Sequence, residues 1–176
     1  GAYIHGTVEA NGGDATGSRL LPSNAGTIGI SGYLVHVGPT GHVSVNGGSH
    51  DDGDGASAGT ITLGALAYLD AVLVHEGALN ANGGDVTMHG NGGPGGDIIV
   101  STSKSSIVLG TMDASGGSGG DTGGNGGMGG FFLAENLPTI VFAGEFIGKG
   151  GAAVTPGDGG HGGGFHAGQE ADPCAR

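Results

Sequence analysis

Basic residues are almost missing from this sequence. Its 176 residues include four lysines and arginines against 16 aspartates and glutamates, which gives a formal net charge of −12. A surface with this balance repels the phosphates of nucleic acids and of anionic lipids. We therefore expect neither nucleic acid nor an anionic membrane surface as a partner. Acidic surfaces with so little lysine are common outside the cell, and we expect that location.

Cysteine and long hydrophobic runs are also scarce. The single cysteine, Cys174, excludes an internal disulfide framework. The longest apolar run covers residues 63–74, and Asp70 interrupts it. This run is too short to cross a bilayer, so we expect no membrane insertion. There is no initiator methionine and no basic segment followed by an apolar one, which predicts a processed mature chain or an excised piece.

Glycine is the residue that this sequence has in excess. The chain contains 46 glycines and 6 prolines. Such a composition without a period is typical of disorder or of low complexity. The apolar residues, which make up 36% of the chain, are nevertheless clustered. Periodicity therefore decides between disorder and a fold.

A period close to 35 residues runs through the chain. An octet of the form Gly-x-apolar-x-small-polar-Gly-Gly starts at positions 6, 41, 77, 110 and 144. The five octets are GTVEANGG, GHVSVNGG, GALNANGG, GTMDASGG and GEFIGKGG. Two further segments, both short and rich in β-branched or aromatic residues, recur in step with the octet. Five matches at nearly constant spacing indicate a structural repeat.

The repeat unit predicts three short β-strands followed by a glycine-rich return, and no segment shows a sustained helical period. Repeats of 33–37 residues with three strands and no helix are typical of a parallel β-solenoid. We predict an all-β solenoid of about five coils over residues 1–165 and a polar tail over residues 166–176. An antiparallel β-sandwich is the alternative, but it gives no reason for a repeated octet.

Apolar residues recur at the same positions of each coil. In-register parallel pairing stacks such residues into columns that point inward. We predict two columns as the structural and assembly residues of the fold. The first is Val8, Val43, Leu79, Met112 and Phe146, and the second is Ile28, Ile61, Ile98 and Phe132.

The glycine-rich returns have a nearly constant length of 13 to 15 residues. In the fourth return, residues 116–130 consist of Gly-Gly-x triplets with Thr122 inserted. A three-residue period is that of the polyproline II helix, in which glycine on two edges lets a neighbouring backbone approach. Because glycine loses more entropy on ordering than any other residue, ordered returns need backbone partners. We predict a second layer of backbone hydrogen bonds; disordered loops are the alternative.

One acidic run offers ligands for a metal ion. The run DDGDG places Asp51, Asp52 and Asp54 in one loop, with oxygen ligands suited to Ca²⁺. It lacks the glutamate of an EF-hand, so a solvated acidic loop is the alternative. Residues 92–100 match one unit of the calcium β-roll, a pattern that works by tandem repetition. We expect no cofactor other than this candidate calcium.

Patterns of catalytic residues do not occur in the sequence. No two of the eight histidines form an H-x-H or H-x-x-x-H pair. There is no phosphate-loop lysine and no triad that spacing supports. We therefore expect that the protein is not an enzyme. Ice binding needs regular threonine columns, but the column that starts at Thr27 and Thr60 continues with other residues.

The Gly-x-apolar-x-Ala-x-Gly-Gly units resemble the repeats of secreted bacterial β-helical surface proteins, among them the filamentous-haemagglutinin-like adhesins. The triplet returns resemble the polyglycine II segments of glycine-rich adhesin tips. The resemblance covers residues 1–165 and concerns the construction of the fold. It implies a β-solenoid at the cell surface with a glycan or another surface as its partner, and it assigns no functional residue.

The ends of the predicted solenoid lead to a functional hypothesis. A solenoid leaves an unpaired strand layer at each end unless a cap covers it. Residues 1–13 begin directly with strand material, and the polar tail is short. We expect a subunit of an extracellular fibre in which copies stack end to end, with an adhesin fragment as the alternative. In such a stack Val8 would follow Phe146 and Tyr3 would follow Ile140.

Overall fold

The structure is a computed structural model that describes residues 1–17, 20–65, 71–135 and 139–168. Within these ranges every regular element is a β-strand, and no helix occurs. The strands found there are β1 (Ala2–Ile4), β2 (Thr7–Glu9), β3 (Thr27–Ser31), β4 (Leu34–Val37), β5 (His42–Ser44), β6 (His50–Asp52), β7 (Thr60–Ala65), β8 (Val72–His75), β9 (Ala78–Asn80), β10 (Val86–His89), β11 (Asp97–Thr102), β12 (Ser105–Val108), β13 (Thr111–Asp113), β14 (Phe131–Glu135), β15 (Thr139–Phe142), β16 (Glu145–Ile147) and β17 (Gly164–Gly168).

Three parallel sheets of five strands each account for most of these elements. Their strand orders are β1-β4-β8-β12-β15, β2-β5-β9-β13-β16 and β3-β7-β11-β14-β17. Each strand pairs in parallel with its counterparts about 34 residues away along the chain. The chain therefore completes one turn per repeat, and the fold is a parallel β-solenoid of about five coils. This confirms the predicted fold class.

The predicted inward columns lie in the second and third sheets. The register of the second sheet aligns Val8, Val43, Leu79, Met112 and Phe146. The register of the third sheet aligns Ile28, Ile61, Ile98, Phe132 and Phe165. In coils two to four the side chains of both columns are fully buried, with a relative exposure of 0%. Burial of a side chain of this size contributes about 1.5–3 kcal/mol, so these columns form the core.

The register of the first sheet corrects one expected contact. It aligns Tyr3 with a column that ends at Val141, whereas Ile140 belongs to the column that begins at Ala2. Alternate residues of a strand point to opposite faces, so a difference of one residue moves Tyr3 from the core to the outer face. Tyr3 is accordingly 58% exposed.

Phenylalanines fill the core at its C-terminal end. The ring centroids of Phe132 and Phe165 are 5.0 Å apart, and those of Phe142 and Phe165 are 5.2 Å apart. Phe146 packs against Phe132 at 6.1 Å. Tilted and edge-on aromatic pairs at these distances add to the free energy of burial. The N-terminal end of the core has smaller side chains at the corresponding positions, for example Ala2 opposite the column of Ile140.

Two strands were not predicted from the sequence. Strands β6 and β10 lie in the returns of the second and third coils and form a short parallel sheet of their own. Their register shifts between Val86 and His89. The two segments are short and differ in sequence, HDD in β6 and VTMH in β10. The other returns have no equivalent strand among the described residues, so the repeat gives no signal for them.

The glycine-rich returns form the second layer that the triplet pattern predicts. In the fourth return the chain runs outward along residues 114–120 and back along residues 124–130; these are termed the outgoing and incoming legs. The incoming leg donates hydrogen bonds to the outgoing leg of the same coil, as from Gly127 N–H to Gly117 O (2.8 Å). The two legs thus lie side by side and are joined through their backbones.

The legs are also bonded to the coils on both sides. Gly117 N–H donates to Gly93 O of the preceding return (2.8 Å). Gly116 N–H donates to Lys149 O of the following coil (2.8 Å). Equivalent bonds recur along the stack, for example from Gly84 N–H in the third coil to a carbonyl of the second (2.9 Å). The returns therefore form an ordered lattice, in which the outgoing leg of the fourth return is hydrogen-bonded to its own incoming leg and to the coils before and after it.

Glycine is required where these legs approach most closely. A Cβ built on Gly117 would overlap the carbonyl oxygen of Gly84, and one built on Gly127 would overlap that of Gly93. In both cases the obstacle is backbone, which cannot turn aside as the end of a side chain can. Both glycines are buried. The glycine content of the returns is therefore a packing requirement.

We predict that Gly117→Ala lowers the free energy of unfolding by about 1–3 kcal/mol or more, because the new methyl group forces two bonded legs apart. Gly29→Ala is the matched control, since a Cβ at this position of β3 meets nothing within 4 Å. That change should leave the stability unchanged or raise it by up to about 1 kcal/mol. Chemical denaturation measures both variants, and equal losses would contradict the packing requirement.

Candidate functional site

The three aspartates of the acidic run lie at the outer end of the second return. The side chain of Asp51 accepts a hydrogen bond from Gly17 N–H (2.6 Å), and that of Asp54 accepts one from Asn91 N–H (2.7 Å). Asp52 Oδ1 lies 2.9 Å from His89 Nδ1. The carboxylates are therefore engaged by three different partners, and the structure does not bring them together around one point.

Metal ligands do not converge elsewhere in the described ranges either. No group of three or more histidine, cysteine, aspartate or glutamate side chains there is placed to hold a metal ion. In the segment that matches one β-roll unit, Asp97 begins β11 and pairs with Thr60 within the third sheet. Its backbone belongs to a regular ladder rather than to a calcium-binding turn.

A shallow groove of about 210 Å³ lies beside the acidic run. It is lined by three residues from each of the first three outgoing legs, which are Asp14, Ala15, Thr16, Ser49, His50, Asp51, Asp85, Val86 and Thr87. His50 is buried, with Nε2 2.6 Å from Leu20 O and with Nδ1 accepting from Asp52 N–H (2.9 Å). Both ring nitrogens therefore serve the fold, and the imidazole has no nitrogen left for a substrate.

A cluster of rings joins the first three coils at one corner. Oε2 of Glu76 lies 2.8 Å from Nε2 of His36. The ring of His36 meets Tyr3 edge-on at 6.2 Å and His5 edge-on at 5.6 Å. The carboxylate of the third coil thus fixes the imidazole of the second between two rings of the first, and Tyr3 remains open to solvent.

His75 is buried within the core of the solenoid. Its Nε2 lies 3.3 Å from the carbonyl oxygen of Thr111, whereas Nδ1 finds no hydrogen-bond partner among the described residues. Burial lowers the pKa of His75 to about 4, and the neighbouring charge of Glu76 opposes this only in part. In the folded protein at neutral pH the imidazole of His75 is therefore uncharged.

The polar residues of the triplets form hydrogen-bonded ladders that the sequence reasoning missed. Each side-chain oxygen accepts from the backbone N–H of its counterpart one coil later. One ladder runs from Asn11 to Asn46 to Asn82 to Ser115, at 2.8–2.9 Å per step. A second on the incoming leg runs from Asp54 to Asn91 to Asn125 to Asp158, at 2.7–3.0 Å.

These ladders explain why the third residue of each triplet is so often asparagine, aspartate or serine. The glycine amides of the triplets bond to neighbouring backbones. The amide of the third residue faces the edge of the layer, where an Oδ1 or Oγ from the coil below is its acceptor. A repeated Asn, Asp or Ser at this position is the signal in the sequence that could have revealed the ladder.

The clearest candidate for an interaction site is the pair of end faces of the stack. Among the described residues β1, β2 and β3 end their sheets on one side and β15, β16 and β17 on the other, so each of these strands has one edge without a partner strand. Ile4, Val8 and Ala10 at the N-terminal face and Phe142 and Phe146 at the C-terminal face are only partly buried. Each face therefore combines unpaired backbone groups with accessible core side chains.

No model of a known protein family, no curated protein and no solved structure matches this chain. Among the residues that the structure describes, none belongs to a helix long and apolar enough to cross a membrane. The geometry of the end faces and of the ladders is therefore the basis for a functional proposal.

The acceptor ladder predicts a difference between two substitutions at one position. Asp85 belongs to a third ladder, which runs along the outgoing legs from Asp14 to Ser49 to Asp85 to Ser118, and its Oδ1 accepts from Ser118 N–H at 2.7 Å. Asp85→Asn keeps an acceptor and should leave the unfolding free energy nearly unchanged. Asp85→Leu leaves that amide without a partner and should lower the unfolding free energy by about 1 kcal/mol. Equal stabilities of the two variants in urea denaturation would contradict the ladder.

Burial of His75 predicts a loss of stability on acidification. The folded pKa of about 4 lies below the ordinary value of 6.5, so the unfolded chain binds more protons between these two values. The contribution of neutral His75 to the free energy of unfolding is intact above pH 6.5. It is lost as the pH falls to 4, and the loss amounts to about 3 kcal/mol in total.

His75→Leu removes the titrating group and should flatten this part of the profile relative to the unsubstituted protein. Urea denaturation at a series of pH values from 7 to 4 measures the difference between the two proteins. Parallel profiles of unfolding free energy against pH for the two proteins would show that His75 does not contribute to the loss of stability in acid.

Proposed function

We propose that the protein is a structural subunit of an extracellular fibre in which the coils of one copy continue into those of the next. The observation that carries the proposal is the match between the two end faces. Both faces present three parallel strand edges in the same arrangement, because the first and last coils are counterparts in all three sheets.

The core columns would continue across such a junction. In register, Val8 of the next copy follows Phe146, Ile28 follows Phe165, and Ile4 follows Phe142. Phe165 is 49% exposed at this face. The junction would therefore bury apolar side chains against apolar side chains and pair the free strand edges, which are the two terms that stabilise the coils within the chain.

Geometry also favours a fibre over a closed assembly. The two faces are different surfaces, so the contact is heterologous, and a heterologous contact that does not close extends into a filament. Five coils at the spacing of parallel strands give an axial repeat of about 24 Å per copy. The acidic surface keeps the sides of such fibres apart.

A surface adhesin is the second candidate, and the outer face of the first sheet supports it. Tyr3 and Val141 lie in one outward column and are 58% and 51% exposed, and Tyr33, which directly precedes β4, is 73% exposed. Exposed aromatic rings on a rigid face suit contact with a glycan or another surface. Ice binding is not supported, because Thr27 and Thr60 are followed in register by Asp97.

Electron microscopy of the purified chain tests the fibre directly. We expect uniform filaments with an axial repeat near 24 Å, from five coils at the strand spacing. Phe165→Glu should prevent them, because it places a carboxylate in the core column at the C-terminal face. Phe131→Glu is the matched control, since Phe131 is 51% exposed on the outer face of the same sheet.

Melting temperatures show whether either variant has lost its fold. Filaments formed by Phe165→Glu at the concentration that the unsubstituted chain needs would overturn the proposed junction. Monodisperse monomers of the unsubstituted chain at high concentration would overturn the fibre. The adhesin hypothesis would then remain, and binding to glycan arrays would test it.

A further inference from the structure

The ladder of the outgoing legs changes its chemistry in the last coil. Its positions hold Asn11, Asn46, Asn82 and Ser115 in the first four coils, and all four are small polar residues. Gly116 N–H donates to Lys149 O, which places Lys149 at the same position of the fifth coil. A cation therefore replaces a neutral polar side chain at the C-terminal face.

The last coil carries a positive charge at Lys149, whereas the first coil carries negative charges at Glu9 and Asp14. Lys149 is exposed, and its ammonium forms no ion pair with another described residue. In the described part of the first coil the ionised side chains are Glu9 and Asp14, and both are exposed. The chain carries only four basic residues in all, so the position of one of them at a proposed junction is informative.

We propose that Lys149 of one copy pairs with Glu9 of the next and thereby selects the N-terminal face as its partner. This inference rests on the proposed end-to-end stacking. In that register Lys149 lies beneath Asn11, with Glu9 two residues before it and Asp14 three residues after it. The strand spacing and rise put the Cα atoms of Lys149 and Glu9 about 8 Å apart, within reach of two long side chains.

The other charges of the last coil do not oppose this pairing. Glu145 lies in the column of Thr7, so an uncharged residue would follow it in the next copy. Asp158 ends the ladder of the incoming leg, and counting along that ladder places Leu21 above it. Among the described residues, the junction would thus contain one cation facing carboxylates and no pair of like charges in register.

The magnitude of such a contact decides how it can be tested. An exposed ion pair contributes only about 0–1 kcal/mol, so loss of the charge alone would have a small effect. Like charges placed opposite each other cost several times more and suppress wrong partners. Reversal of each charge, rather than its removal, is therefore the informative change.

Charge reversal at the two faces gives a test with a positive outcome. Lys149→Glu and Glu9→Lys should each need at least tenfold more protein to form filaments, since each places like charges in contact. Mixed in equal amounts they should assemble at the concentration of the unsubstituted chain, because every junction in an alternating filament then joins opposite charges. Sedimentation and electron microscopy measure both effects at low salt, and added salt should reduce them.

Lys104→Glu is the control, because it changes the net charge equally but lies between β11 and β12, away from both end faces. Failure of the mixture to assemble, or filaments of Lys149→Glu at the unsubstituted concentration, would overturn the pairing while the fibre stands. More ready assembly of Lys149→Glu would also overturn it and would make Lys149 a charge that keeps copies apart. Absence of filaments from the unsubstituted chain would overturn the fibre itself, and the pairing with it.

Discussion

Both layers of this molecule depend on a single spacing between coils. Parallel strands pair at about 4.8 Å, and the legs of the returns are joined from coil to coil by N–H···O bonds of 2.8–2.9 Å such as that from Gly116 to Lys149. The chain passes through the β-core and through the layer of returns once per coil, so both layers must have the same axial rise per coil. The one residue inserted into the triplets of the fourth return, Thr122, lies between the two legs, and its N–H and Oγ1 both donate to Met88 O of the preceding coil (3.1 and 2.9 Å). This constraint explains why the repeat length stays within a few residues of its mean.

The entropy of glycine makes complete hydrogen bonding necessary. Ordering one residue costs about 1–2 kcal/mol, whereas one hydrogen bond contributes about 0.5–1.5 kcal/mol net. A glycine lattice with unpaired amides would therefore not remain ordered beside the β-core. The structure meets this condition in two ways. Gly117 and Gly127 bond to other backbones, and residues such as Asn91 and Asn125 supply side-chain acceptors to the amides that no backbone reaches.

The sequence was sufficient for those features that recur in every coil. The octet predicted the inward column of Val8, and a strand segment that recurs in step with it predicted that of Ile28, because one face of each strand is buried and the register is therefore strongly determined. Among the described residues only two returns contain a strand, as β6 and β10, so the repeat did not predict them. The register of Tyr3 was wrong by one residue, because Ala2, Tyr3 and Ile4 are all apolar and do not alternate. The ladder was missed since a run of Asn, Asp and Ser also reads as ordinary loop material.

The direction of the ladders bears on how copies would join. Three ladder bonds cross the boundary between the third and fourth coils, and their acceptors are the side chains of Asn82, Asp85 and Asn91. Among the described residues only one ladder bond crosses the next boundary, in which Asp158 N–H donates to Asn125 Oδ1. In the fifth coil Lys149 and Ala152 take the ladder positions that Ser115 and Ser118 hold in the fourth. Neither side chain is an acceptor, so Asp158 is the one remaining acceptor of these ladders among the described residues. A junction between copies would then be no stronger in this layer than the boundary between the last two coils. Strand pairing and the phenylalanines would supply its affinity, and the charge of Lys149 its choice of partner.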